Sequence, residues 1–342
     1  MTLSKRQESI LDGIVELFMK TGEPVGSKAV CELLCNSCST ATIRNEMAEL
    51  IEKGYLLQPH TSAGRIPSSD GYRFYVERNI DLIELDDDTK QRVEKVMPLF
   101  TGDIEKFVFE VGAVLAELTK CTSIITTPYD AENGIKRVEL IPMGTRLNVM
   151  AVLTSYDVMN SCVCKSDIPL IKDSLDLFVN AVNKEFSGKP MNTISPASVQ
   201  SFISKYAMHS LAFAPLMECF QKIIKETMRP KIKLEGQSNL LFYRDFSTAE
   251  IREILTFLSH RENIYDLLNS TGDNLSVLFG NECDNDVLKD TSLVTVKYSL
   301  SETAFGKIGI LGPLRMDYCT ILPIVKYVAT LTENQIKASV LK

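Results

Sequence analysis

The chain has 342 residues, 45% of them apolar and 24% charged, with a formal net charge of −7. That is enough for two or three domains of ordinary globular composition, and no apolar run approaches the ~20 residues that span a bilayer. The acidic balance excludes nucleic-acid binding through bulk positive charge, nine scattered cysteines argue against a disulfide framework, and the charged start MTLSKRQE is no secretory leader, so a cytoplasmic protein is expected.

Ser4 to Lys20 reads as a helix. Ser4 and Gln7 have capping-box spacing, and Ile10, Leu11, Ile14, Val15, Leu17 and Phe18 form a broad apolar face. Gly22 and Pro24 end it. Ser27 is expected to cap a short second helix through Leu34, and Asn36–Ser37 to turn the chain. Ser39 or Thr40 then caps a third helix that ends at Gly54. Ile43, Met47, Leu50 and Ile51 share one face of it. Ala41, Asn45, Ala48 and Glu52 lie opposite, with Thr42 and Arg44 on the flanks.

The polar residues of this helix come first and the carboxylates late, which suits a helix that touches bases with its N-terminal turns. Thr40, Ala41, Thr42, Arg44 and Asn45 are the candidate base contacts, Arg44 for a guanine edge and Asn45 for adenine. A short strand, Tyr55 to Gln58, leads into a polar loop, Pro59 to Gly71. His60, Thr61, Ser62 and Arg65 on that loop are candidate phosphate contacts. Residues 1–80 hold 9 Lys+Arg against 10 Asp+Glu, so affinity has to come from placed contacts and from two copies acting together.

Asp81 to Arg92 reads as a charged linker, and the pattern from there to Lys120 is helical. Cys121 to Thr127 is β-rich, and Gly134 to Ser166 holds three strand-like runs that look like an antiparallel meander. Ile168 to Met228 is mostly helical, with breaks expected at Gly188–Pro190, Pro196 and Pro215. The apolar residues Leu211, Phe213, Leu216, Met217 and Phe220 within it are candidates for a face that meets a second copy. The last third is mixed: a strand at 239–243, a helix from Thr248 to Asn269, three strands, and a closing helix from Tyr318.

Catalysis finds little support. Three histidines lie far apart, with no GxSxG, HExxH or paired-cysteine zinc signature. Cys31, Cys35 and Cys38 cluster, but a zinc site needs a fourth ligand and the nearest histidine, His60, lies beyond a helix. No metal and no cofactor are expected.

TGEPVGSKAV (21–30), ATIRNEMAELIEKGYLLQPHTSAGRIP (41–67) and GYRFYV (71–76) resemble the N-terminal signature of the bacterial heat-inducible transcription repressor family, HrcA. SNLL (238–241) and GKIGILGPLRMDY (306–318) resemble its C-terminal signature. The match is collinear over essentially the whole chain. Leu314 stands where the family commonly has Thr, and the cysteines at 31, 35 and 38 are outside its pattern. The resemblance implies a multidomain α+β protein: a winged helix-turn-helix at 1–78, a charged linker at 79–92, a discontinuous GAF-like α/β domain at 93–131 and 229–342, and a dimerising domain of antiparallel sheet plus helices inserted at 132–228. It further implies a homodimer on an inverted-repeat operator in double-stranded DNA upstream of chaperone genes, with the chaperonin GroEL keeping the repressor competent. A ligand-gated regulator, sensing a small molecule through the GAF-like domain, is the alternative. Strong thermal stabilisation by one metabolite would favour it.

Overall fold

In the computed structural model, which describes residues 3–35, 38–60, 63–80, 84–130, 132–155, 159–272, 274–283 and 285–340, the chain begins as its capping residues dictate. Helix α1 (Lys5–Thr21) starts at Ser4, whose hydroxyl accepts from the Gln7 N–H while the Gln7 side chain accepts from the Ser4 N–H; it stops at Gly22, at a left-handed φ of 68°. Helix α2 (Ser27–Leu33) begins one residue earlier than expected, because Gly26 and not Ser27 is its N-cap. Helix α3 (Thr40–Glu52) is capped by Ser39, whose Oγ accepts from the Thr42 N–H at 3.1 Å. Strands β1 (Leu56–Leu57) and β2 (Ile66–Pro67) pair antiparallel. Helix α4 (Ser69–Asn79) starts inside the span expected to be loop: Ser68 caps it, and the Ser68 hydroxyl donates to the Gly54 carbonyl at 2.6 Å. Only glycine fits at Gly71, where a Cβ would stand 2.2 Å from the Tyr55 carbonyl oxygen.

Part of the expected charged linker is helix α5 (Asp87–Val96). Asp86 caps it, and hydrogen bonds from the Thr89 N–H and hydroxyl hold the Asp86 carboxyl below its ordinary range. Helix α6 (Ile104–Thr119) and strand β3 (Thr122–Thr126) follow. The chain divides into two compact units, Met1–Thr127 with Ile232–Tyr298 and Lys307–Lys342, and Pro128–Lys231 with Ser299–Gly306.

The second unit opens with β4 (Tyr129–Asp130). The meander expected next is present as β5 (Ile135–Pro142), β6 (Leu147–Thr154) and β7 (Met159–Lys165), with Val138 opposite Val152 and Met150 opposite Cys162. Helices α7 (Lys172–Phe186), α8 (Pro196–Lys205) and α9 (Ser210–Thr227) pack on one face of this sheet around Val138, Met150, Val152, Phe178, Phe202 and Phe220. The break expected at Pro215 does not occur. It lies in the second turn of α9, and the carbonyl it leaves without an N–H partner belongs to Leu211, at the surface, where water can take the bond.

This packing corrects the expected copy-to-copy face. Phe213, Leu216, Met217 and Phe220 are at most 1% exposed and belong to the unit's own core; Leu211 alone of the five is on the surface, 80% exposed. The apolar side of an amphipathic helix buries against the nearest sheet. Phe213 meets Phe178 edge-on with ring centroids 5.0 Å apart.

The chain returns to the first unit as β8 (Ile232–Glu235), which pairs antiparallel with β3, Thr126 opposite Ile232. Residues 239–243, expected as a strand, fall within a 3-10 turn spanning Gln237–Phe242 and its end. Gly236, at φ 71°, turns the chain, and the Asn239 side chain donates to the carbonyls of Ala116 and Cys121, so Leu240 is buried while Leu241 and Phe242 face outward. The helix expected from Thr248 to Asn269 is two, α10 (Thr248–Ser259) and α11 (Arg261–Asn269), split at the extended His260. Strands β9 (Ser276–Phe279), β10 (Thr291–Ser299) and β11 (Ala304–Pro313) complete a sheet in the order β8-β3-β11-β10-β9 before helix α12 (Tyr318–Val340). Strand alternation builds the layers: Ile125 packs against Gly112 of α6, while Ile124 joins Ile254, Leu258 and Leu268 of α10 and α11 on the other face.

Within this unit α4 joins the N-terminal helices to the sheet. The Tyr72 ring lies 6.4 Å from Phe279 and 6.0 Å from Tyr318, and the Tyr75 hydroxyl meets the Cys319 thiol at 2.9 Å. Arg73 grips the Glu282 carboxylate with two nitrogens and donates to the Val277 carbonyl at 3.2 Å. Arg73→Ala is expected to cost about 1 kcal/mol of stability, since the pair is partly exposed. Equal losses in Arg73→Ala, Glu282→Gln and the double variant would show the pair acting as one; additive losses would show that it does not couple.

Candidate nucleic-acid interface

α3 is held so that its start is free. Ile43, Met47 and Leu50 are buried against α1 and α2, while Thr40, Ala41, Arg44 and Asn45 are exposed. Thr42 is half-buried, its hydroxyl 2.9 Å from that of Ser39. The first turn has no acidic residue, so beyond the Thr42 N–H that Ser39 caps, no carboxylate there offsets the positive end of the helix dipole.

Two of the three carboxylates of α3 are drawn backward, and the third, Glu52, is exposed in the last turn. Glu46 pairs with Arg6 at 3.4 Å, and Glu49 accepts from the Gln7 Nε2 at 2.7 Å, while the Lys53 ammonium donates to the Gln7 Oε1 at 2.8 Å. Gln7 therefore does two jobs, capping α1 and restraining the acidic end of α3. The second was readable only as a polar residue on the core side of α1, 4% exposed.

Strand β1 follows α3 directly, with the Tyr55 N–H donating to the Leu50 carbonyl at 2.9 Å. In the loop between β1 and β2, His60 is exposed and Arg65 is half-buried; Thr61 and Ser62 lie outside the described residues. Arg65 pairs its backbone N–H and carbonyl with Val25, both at 2.8 Å, and its guanidinium turns onto its own loop, donating to the carbonyls of Ala63 and Gly64 at 3.0 and 3.4 Å. Gly64 permits this approach, since a Cβ there would stand 2.6 Å from the Pro24 and Val25 backbone. The loop is thus stitched to the α1–α2 connection, a tie that the sequence marked only by its glycine. Before α3 the Cys31 thiol donates to the Cys38 carbonyl at 3.2 Å; Asn36 and Ser37, where a turn is expected, lie outside the described residues.

The whole arrangement can present polar donors from one helix end and one adjoining loop. The family described as HrcA protein C terminal domain matches residues 105–322. The heat-inducible transcription repressor HrcA of Ruminiclostridium cellulolyticum is 30% identical over 347 residues, covering 100% of this chain and 99% of its own length. That of Natranaerobius thermophilus is 32% identical, covering 96% of each. A crystal structure described as that of a hypothetical protein at 2.2 Å resolution covers 99% of this chain and 100% of its own, at 25% identity and a TM-score of 0.65. With relatives similar from end to end and a family match across more than half its length, the chain belongs to the HrcA family of heat-inducible transcription repressors.

Proposed function

We propose that this repressor of heat-shock genes works as a homodimer that lays α3 in the major groove of an inverted-repeat operator in double-stranded DNA. α2, the turn and α3 act as a helix-turn-helix, and the β1–β2 loop is the wing. The α/β layers form a GAF-like body. The observation that carries the reading is the exposed, acid-free first turn of α3, with Glu46 and Glu49 tied back to Arg6 and Gln7 and Glu52 left in the last turn, away from it. Arg44 and Asn45 supply base contacts, Thr40, Ala41 and Thr42 line the approach, and His60, Thr61 and Ser62 serve the backbone, while the inward-turned Arg65 braces the loop that carries them.

Arg44→Ala is expected to weaken specific binding by roughly 1–3 kcal/mol and to relax selectivity at one operator position. Footprint titration against an operator panel reads this. Unchanged affinity in both Arg44→Ala and Asn45→Ala would remove α3 from the groove. His60→Ala, by contrast, is expected to weaken specific and non-specific binding alike and to flatten the salt dependence.

For the dimer we assign the open face of the β5–β6–β7 sheet. Strand alternation sends Ile141, Val149 and Val163 outward as one cross-strand row and Leu153 and Met159 as another. Ile141, Val163 and Met159 are 52, 56 and 69% exposed, and the Arg137–Glu139 ion pair shares their face, so apolar rows and charges alternate across it. A two-fold axis there matches an inverted repeat. No helix among the described residues is long and apolar enough to cross a membrane, and we place the repressor in the cytoplasm with its operator. We further assign control to folding: GroEL maintains the native fraction, and unfolded protein that occupies the chaperonin during heat shock withdraws it.

A further inference from the structure

β7 carries two thiols on the side that packs against α9. Cys162 and Cys164 are two residues apart, so the pleat points both inward. α9 brings Cys219 to them: its Sγ lies 3.8 Å from the Cys162 carbonyl oxygen, and the Cys164 Sγ lies 3.9 Å from the same oxygen. Two sulfurs from a strand and a helix therefore share one acceptor. Cys164 and Cys219 are buried, Cys162 is half-buried, and all three are free thiols.

We propose that Cys164 and Cys219 are a dithiol that hydrogen peroxide closes to a disulfide, tying β7 to α9. The neighbouring Cys219 thiol, against the opposing effect of burial, holds the Cys164 thiol below its ordinary range. The closeness of Cys164, with burial adding to it, pushes Cys219 up. Cys164 is accordingly the attacking sulfur and Cys219 the resolving one. The Cys164 thiolate attacks one peroxide oxygen and breaks the O–O bond. A sulfenic acid forms, and the departing hydroxide takes up the proton that the thiol lost, giving water. The Cys219 sulfur then attacks the sulfenic sulfur, the S–O bond breaks, and the oxygen leaves with the Cys219 proton as a second water. Two thiols and one peroxide give one disulfide and two waters.

The test uses the full chain, treated with hydrogen peroxide, alkylated and mapped by peptide mass spectrometry without reduction. The expected result is a cross-link joining the β7 and α9 peptides, with the mass loss of two hydrogens, that dithiothreitol reverses. Cys162→Ser should keep the link and raise the melting temperature on oxidation, since a cross-link restricts the unfolded chain. Cys164→Ala and Cys219→Ala should each lose it while keeping the native circular dichroism; should one fail to fold, the other decides. Peroxide-treated protein in which both residues remain alkylatable, a link that survives Cys164→Ala, or Cys219 joined to Cys162 or to another molecule would each overturn the pairing.

Discussion

A protein carrying Val149→Lys and Val163→Lys should sediment as a monomer and lose specific operator affinity by about 10²- to 10⁴-fold, the usual contribution of a second linked site. The two residues face each other across β6 and β7 and point away from the unit's core, so the charges fall on the open face rather than in the packing. Circular dichroism should therefore be unchanged. Residues 1–80 are nearly neutral, and one copy has no bulk positive charge to replace the lost half-site. Leu211→Lys is the paired control: it alters a still more exposed apolar residue, on α9, and should leave the dimer intact. Sedimentation of the double lysine variant as a dimer, or monomers produced by Leu211→Lys, would move the interface away from the sheet.

The second large effect concerns heat. Purified repressor held just above its transition should lose operator binding and fail to recover on cooling, and GroEL with ATP should raise the active fraction several-fold. The physical basis is the joint at α4. Tyr72 shares one aromatic contact set with Phe279 and Tyr318, so loosening the α/β layers removes packing from the helices that carry α3. Multi-unit chains with exposed apolar intermediates aggregate on heating, and a chaperonin then decides how much returns. Arg73→Ala should bring the loss to a lower temperature. Full spontaneous recovery of binding, with no change on adding GroEL, would eliminate folding control while leaving repression itself in place.

The parts of the fold that were legible in the sequence are those set by neighbours in the chain. Ser4 with Gln7, Ser39 before α3 and the three runs of the meander each announced an element, and the apolar face of α3 came out as Ile43, Met47 and Leu50. What depends on distant partners was not legible. Phe213 and Phe220 are apolar in either reading; only the sheet beneath them decides that they are core and not a docking face. Residues 239–243 have strand composition, but Asn239 binds carbonyls more than a hundred residues away. Asp86 with Thr89 is a capping pair set inside a charged run whose composition alone reads as linker. At the candidate interface, residue types pointed to α3 and its loop, whereas the inward turn of the Arg65 guanidinium depends on the Ala63 and Gly64 carbonyls and on the close approach of Gly64 to Pro24 and Val25.

The pairing of β3 with β8 sets an order of events. Thr126 and Ile232 stand opposite each other, yet residues 127–231 separate them along the chain. Each doubling of a flexible loop adds only ~0.6 kcal/mol to its closure, but a search over so long a loop is slow, and edge strands stay unpaired while it lasts. If the intervening segment collapses first, around its own meander and helices, its two ends arrive together and β3 and β8 pair as though joined by a short turn. Nascent chains would then be most vulnerable in the interval before that segment folds, when β3 has left the ribosome and β8 has not.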